Sequence, residues 1–94
     1  MKIQRSETGE KGRFYIEENE RQIALMTYRK SGEGEITIDH TEVDSNFRGE
    51  GFGEDLVREA ASFARANDLQ IAATCPFAKK ILSAGNEFRD VFEE

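Results

Sequence analysis

Polar and apolar residues alternate over residues 13–17, with Phe14 and Ile16 on one side, the period-two pattern of a half-buried strand. Residues 18–21 are a polar turn. Alternation resumes over residues 22–29, with Ile23, Leu25 and Thr27 on one face and Ala24, Met26 and Tyr28 on the other. Ser31-Gly32-Glu33-Gly34 is a turn signal. Residues 35–43 are rich in β-branched side chains (Ile36, Thr37, Ile38, Thr41, Val43) and read as a third strand. Short polar connections make these three an antiparallel meander, and residues 2–7 are a candidate edge strand.

The period changes after a glycine-bearing break at residues 44–53. Over residues 54–67, Leu56, Val57, Ala60, Ala61, Phe63 and Ala64 fall on one side of a helical wheel, and Asp55, Arg58, Glu59, Ser62 and Arg65 on the other. Glu54 and Asp55 suit the first turn of such a helix, and Asn67 is the expected left-handed stop. Residues 69–74 read as a short buried strand, so strand, helix and strand imply a right-handed parallel crossover. Pro76 suits the first position of a second helix carrying Phe77, Ala78, Ile81 and Leu82, which residues 83–86 end. Phe88, Val91 and Phe92 are expected to fold back onto the core. The predicted class is α+β: a mixed, mostly antiparallel sheet, one β-α-β crossover and a short C-terminal helix, in one domain spanning 1–94.

Ninety-four residues with thirteen basic and nineteen acidic side chains carry a formal charge of −6. That balance argues against a nucleic-acid surface, which normally shows a basic stripe, and against docking on anionic membrane. An anionic ligand stays possible, because backbone N–H groups bind phosphate without net positive charge. The lone Cys75 has no internal disulfide partner, so the expected compartment is cytoplasmic. No apolar run approaches the ~20 residues of a membrane span, no signal peptide is read at the start of the chain, and one cysteine with one histidine gives no reason to expect a metal.

The informative stretch is Val43-Asp44-Ser45-Asn46-Phe47-Arg48-Gly49-Glu50-Gly51-Phe52-Gly53, between a strand and a helix. Closely spaced glycines let the backbone turn and let a ligand approach without Cβ atoms in the way. The helix start offers unpaired N–H groups and a partial positive charge, which is a pyrophosphate site. A P-loop fails, since Gly53 is followed by Glu54-Asp55 instead of Lys and Ser/Thr. The dinucleotide fingerprint fails, since the sixth place from Gly49 is Glu54. Arg48-Gly49-Glu50-Gly51-Phe52-Gly53 does match Arg/Gln-x-x-Gly-x-Gly/Ala, the acyl-CoA signature of the GNAT acetyltransferase superfamily.

With Asp39-His40-Thr41-Glu42-Val43 and Cys75-Pro76-Phe77-Ala78, the chain resembles the very short, single-domain GNAT-like proteins that bind acetyl-CoA. The resemblance runs from about Phe14 to Val91. It implies a minimal acyl-CoA acetyltransferase fold with acetyl-CoA as cosubstrate. Backbone N–H groups of Arg48, Gly49, Glu50, Gly51, Phe52 and Gly53 would hold the pyrophosphate, and the backbone of Thr41, Glu42 and Val43 would pair with the pantetheine arm. The strand ending at Thr74 would splay away, leaving the acetyl group near His40, Thr41 and Cys75. The acceptor, an amine or a protein, is undefined. The sequence departs from the wider superfamily where a Tyr commonly protonates the leaving thiolate: the matching place is Leu82.

Cys75, at a strand end before a proline-started helix, is a candidate nucleophile, because a helix N-terminus favours the thiolate; the alternative is a buried small hydrophobe. His40 is a candidate base for an incoming amine or for Cys75, or a strand residue satisfied by hydrogen bonds. Strand alternation would send Asp39 and Glu42 to different faces, with Glu42 sharing that of His40 unless a bulge intervenes. Arg48 is the candidate partner of phosphate charge. Lys79 and Lys80 are weaker candidates, more simply read as a solvated helix face. Phe14, Phe63, Phe77, Phe88 and Phe92 read as core. An acetyltransferase, a non-catalytic CoA-binding or sensing module and a small interaction domain with a degenerate loop all fit the loop alone.

Overall fold

The computed structural model describes residues 2–92, so the ends of the expected 1–94 domain lie outside the described residues. The elements run β1 (Gln4–Thr8), β2 (Lys11–Glu18), β3 (Arg21–Gly32), β4 (Glu35–Val43), a short 3₁₀ turn (Ser45–Phe47), α1 (Phe52–Ala66), β5 (Gln70–Ala73) and α2 (Pro76–Ser83). One sheet has the order β1-β2-β3-β4-β5. β1 to β4 pair antiparallel, and β4 pairs β5 in parallel across the α1 crossover. The meander, the crossover and the short last helix follow the hydrophobic pattern, and the candidate edge strand forms as the polar β1.

The boundaries move for identifiable reasons. The β2–β3 hairpin turns on Asn19 and Glu20 alone, at φ 53° and 64°, the positive angles that a tight two-residue loop needs, so both strands reach further than alternation suggested. The left-handed residue after α1 is Asp68 (φ 55°), not Asn67. Leu69 N–H donates to the Ala64 carbonyl at 2.8 Å and Asp68 N–H to that of Arg65 at 3.5 Å, the paired bonds that place the positive angle one residue later. β5 starts at Gln70 because Leu69 is spent in that cap.

α1 lays Leu56, Val57, Ala60, Ala61 and Ala64 on the sheet, against Phe14, Ile16, Ala24, Met26, Tyr28, Ile36 and Ile38, all buried. Phe88, Val91 and Phe92 do return to the core: Ile71 N–H donates to the Val91 carbonyl at 2.7 Å, and Ile71 and Phe92 form a parallel bridge. Tyr28 spans the core and its rim. Its ring packs near Phe14 and Phe63, while its hydroxyl donates to Glu7 Oε2 at 2.8 Å and accepts from Arg5 Nη1 at 3.0 Å. Hydrogen bonds from Lys30 and then Tyr28 hold the Glu7 carboxyl below its ordinary range, while burial pushes the Tyr28 hydroxyl up.

The Tyr28 ring lies over Gly12, where an added Cβ would sit 2.3 Å from Cζ. That ring is pinned at both ends, so Gly12→Ala overpacks the sheet and is expected to cost about 1–3 kcal/mol of stability. Urea denaturation measures it, and an unchanged midpoint would mean the ring is free to move.

Candidate functional site

A one-residue bulge in β4 shapes the site. Tyr28 pairs with Ile38 and Thr27 with His40, so Asp39 is the extra residue. Paired residues share a face, and Tyr28 and Met26 face α1. Past the bulge, Thr41 (opposite Met26) and Val43 (opposite Ala24) therefore continue the α1 face that Ile36 and Ile38 occupy before it. Asp39, His40 and Glu42 gather on the other face, where Thr27 Oγ1 donates to Asp39 Oδ1 at 2.5 Å. This corrects the expectation that Asp39 and Glu42 part company: an extra residue reverses the alternation.

Beside the bulge the sheet opens. β4 and β5 pair only as far as Ile38 and Ala73. Thr74 and Cys75 N–H both donate to the Ile38 carbonyl, at 3.0 and 3.3 Å, and the ladder ends there. Beyond that rung, β4 continues to Val43 while the chain after β5 turns into α2.

The loop after β4 is tied down at its start. Asp44 accepts from Asn46 N–H at 2.9 Å and is paired with Arg21; the Asn46 bond, then the Arg21 charge, hold its carboxyl below the usual range. Gly49 (φ 84°) and Gly51 (φ 83°) then turn the backbone through the left-handed region, where a side chain would be strained. Gly51 is the N-cap of α1, and no side chain caps it. The first helical bond runs from Asp55 N–H to the Gly51 carbonyl at 3.0 Å. The N–H groups of Phe52, Gly53 and Glu54 thus have no partner inside the helix, and the positive end of its dipole faces outward.

This helix mouth and the free end of β4 border one cleft of 510 Å³, lined by Thr41, Glu42, Val43, Phe47, Arg48, Gly49, Gly51, Phe52, Gly53, Glu54 and Phe77. Glu50 lies in the same loop without lining it. Arg48 is the one cation among the lining residues, its Nε donating to the Val43 carbonyl at 3.4 Å. The two lining carboxylates have partners of their own: Glu54 approaches Arg58 at 4.0 Å and Glu42 lies 3.2 Å from His40 Nε2. The floor is therefore built of backbone donors, and three aromatic rings (Phe47, Phe52, Phe77) supply apolar wall. An anionic group at the floor with a less polar extension along β4 fits this arrangement.

Cys75 is buried (6% exposed), and its Sγ donates to Thr41 Oγ1 at 3.5 Å. Thr41 lines the cleft, so the thiol sits one side chain behind its end. His40 is on the opposite face of the sheet with its side chain 56% exposed, so the structure does not bring it to Cys75. Leu82 is core, at 3% exposure. Phe77 corrects the sequence reading: it is the exposed large apolar side chain of the described residues, at 43%, and the far end of its ring rests against Gly53. The sequence gives no sign of that role, since Phe77 falls in the apolar pattern of α2. Phe47 lines the cleft as well, a role the sequence does not mark because the residue stands within a polar loop. Among the described residues no group of His, Cys, Asp and Glu could hold a metal ion, and no helix is long and apolar enough to cross a membrane.

The GCN5-related N-acetyl-transferase family model matches residues 13–91. Protein NATD1 of Xenopus tropicalis is 33% identical over 57 residues, 61% of this chain and 52% of that protein; the chain spans about half the length of the curated relatives it matches. The solution structure of a GCN5-like protein from Staphylococcus aureus superposes with a TM-score of 0.75 at 35% identity, over 98% of this chain and 87% of the other. A Bacillus anthracis chain described as a streptothricin acetyltransferase, solved with acetyl coenzyme A, shares the fold with a TM-score of 0.59 at 18% identity, over 70% of this chain and 39% of the other.

Proposed function

This chain belongs to the GCN5-related N-acetyltransferase family, and on that premise we propose that it binds acetyl-CoA in the β4–α1 cleft and moves the acetyl group to an amine by way of Cys75. The observation that carries the reading is the juxtaposition of three features: uncapped N–H groups at the α1 mouth, a β4 edge that β5 leaves unpaired past Ile38, and a thiol bonded to Thr41, which lines the same slot. N–H groups from Arg48 to Gly53 take the pyrophosphate, with Arg48 countering part of its charge. The Thr41, Glu42 and Val43 backbone pairs with the amides of the pantetheine arm as a missing strand would. That path leads the thioester toward Thr41 and Cys75.

In the first step Cys75 Sγ bonds to the acetyl carbonyl carbon as the bond from that carbon to the CoA sulfur breaks, and the thiol proton passes to the leaving sulfur. In the second, an amine attacks the acetyl-cysteine, the Sγ–carbonyl bond breaks, and the amine proton returns to Sγ. Thr41 Oγ1 accepts from Sγ in the resting state and is placed to orient the thiol. The buried Leu82 supplies no proton, which favours a route where the attacking thiol brings its own. His40, with Asp39 and Glu42, lies at the rim of the far sheet face, where it takes the extra proton of an incoming ammonium before attack; the proton lost on attack still goes to Sγ. The acceptor is an amine small enough, or a protein terminus slender enough, to reach that rim. The lone free thiol supports a cytoplasmic site of action, and the formal charge of −6 argues against nucleic acid or anionic membrane as partner.

An amide-shift titration with acetyl-CoA tests the binding half. The largest shifts are expected over residues 41–43 and 48–54 and at Phe77. Shifts elsewhere, or none at millimolar ligand, would remove the cleft from consideration.

A further inference from the structure

We propose that Phe77 is a movable wall of the acetyl-CoA cleft, seated on Gly53, and that position 53 lacks a side chain to make room for this ring, its N–H still serving the ligand; the inference rests on the cleft being the acetyl-CoA site. The three glycines of the loop are not equivalent. Gly49 and Gly51 have positive φ angles and open space around the missing Cβ, whereas Gly53 has no such angle. It sits inside the first turn of α1, where glycine is the poorest residue short of proline. Its backbone would accept alanine. What forbids the side chain is Phe77: a Cβ on Gly53 would stand 2.5 Å from Cζ and 2.7 Å from Cε2.

Those atoms are the far end of a side chain that is 43% exposed, so the ring and not the helix would give way, toward the cleft it already lines. Phe77 lines that cleft together with Thr41, Glu42 and Val43 of β4 and with the first turn of α1, on which its ring rests. A pyrophosphate held by those donors leads directly into the branched, apolar first part of the pantetheine arm, and the ring is placed to cover it. Phe77 is also two residues from Cys75, with Pro76 between them at the first position of α2, so the wall that grips the arm is fixed to the same helix start as the thiol.

Calorimetry with two probes on four chains tests this: acetyl-CoA, and adenosine 3′,5′-bisphosphate, which lacks the arm. Phe77→Ala is expected to weaken acetyl-CoA about tenfold through lost apolar contact, while bisphosphate affinity changes less than about twofold by the same reasoning. Phe77→Leu should recover part of the loss, which a merely misfolded alanine variant would not predict. Gly53→Ala should also cost about tenfold by displacing the ring, but Gly53→Ala in the Phe77→Ala background should cost nothing more. If the Gly53→Ala loss persists undiminished without the ring, the added methyl meets the ligand itself and the proposal falls. If the unaltered chain binds acetyl-CoA and Phe77→Ala binds it equally well, only the proposal falls. If the unaltered chain binds no acetyl-CoA, the reading of the cleft falls and takes the proposal with it.

Discussion

A Gly51→Val chain is expected to bind acetyl-CoA about a hundredfold more weakly than the unaltered chain, a loss of about 3 kcal/mol. The valine meets no neighbour, since no atom lies within 4 Å of its Cβ. The damage comes from the backbone angle. At φ 83° a β-branched residue is a true outlier, and the loop must either hold it under strain or relax. Relaxing rotates the peptide planes at the N-cap and turns the donors of Phe52 and Gly53 away from the position they share. Each bond from such a donor to a charged phosphate contributes about 1.5–3 kcal/mol, so misaligning one or two produces the stated loss. Holding the strain instead costs about 1–3 kcal/mol of folding stability. Gly34→Val is the matched control: Gly34 has φ 74° and equally open surroundings in the β3–β4 turn, so it should lose comparable stability and no affinity. Calorimetry beside urea denaturation separates the two. Equal affinity losses in both variants would mean that general instability, not the loop, governs binding.

Cys75→Ala is expected to lower acetyl transfer at least about a thousandfold, as removal of a nucleophile does, with acetyl-CoA affinity held within about threefold. The asymmetry follows from placement. Cys75 is not among the residues that line the cleft; it touches Thr41, which is. On the proposed reading the ligand is gripped by backbone at residues 41–54, and sulfur is reached only past Thr41. Mass spectrometry of the unaltered chain after incubation with acetyl-CoA should show one added acetyl group at residue 75, absent in Cys75→Ala. Turnover that survives the substitution would mean direct transfer from the thioester to the amine, with the buried thiol acting only as packing.

Period-two and period-3.6 patterns expose the fold because each element buries one side only. Alternation at Phe14 and Ile16, and again at Ala24, Met26 and Tyr28, reports the face that α1 covers. The crossover is legible because residues 54–67 change period between two strands. The glycine loop is legible because Gly49 and Gly51 stand where only glycine is unstrained. Alternation fails at Asp39, since a bulge changes the count without leaving a mark in residue type. Phe77 is hidden for a different reason. Its ring rests against a glycine 24 positions earlier and lines the cleft, and no local pattern reports a neighbour that distant in the chain. His40 and Cys75 look like partners when read as a line, yet the same bulge that turns Thr41 toward the thiol turns His40 away from it.

The extra residue at position 39 acts as a phase shift. Upstream of it, even-numbered side chains belong to the interior; downstream, odd-numbered ones do. The strand thereby presents bulk where a helix must rest and, past the last β5 rung, backbone left open beside the cleft. That switch is fixed by how many residues separate Ile38 from Thr41, and not by their chemistry. Position 39 can therefore vary in character as long as it exists, whereas losing a single residue there would exchange the inside and outside of everything up to Val43.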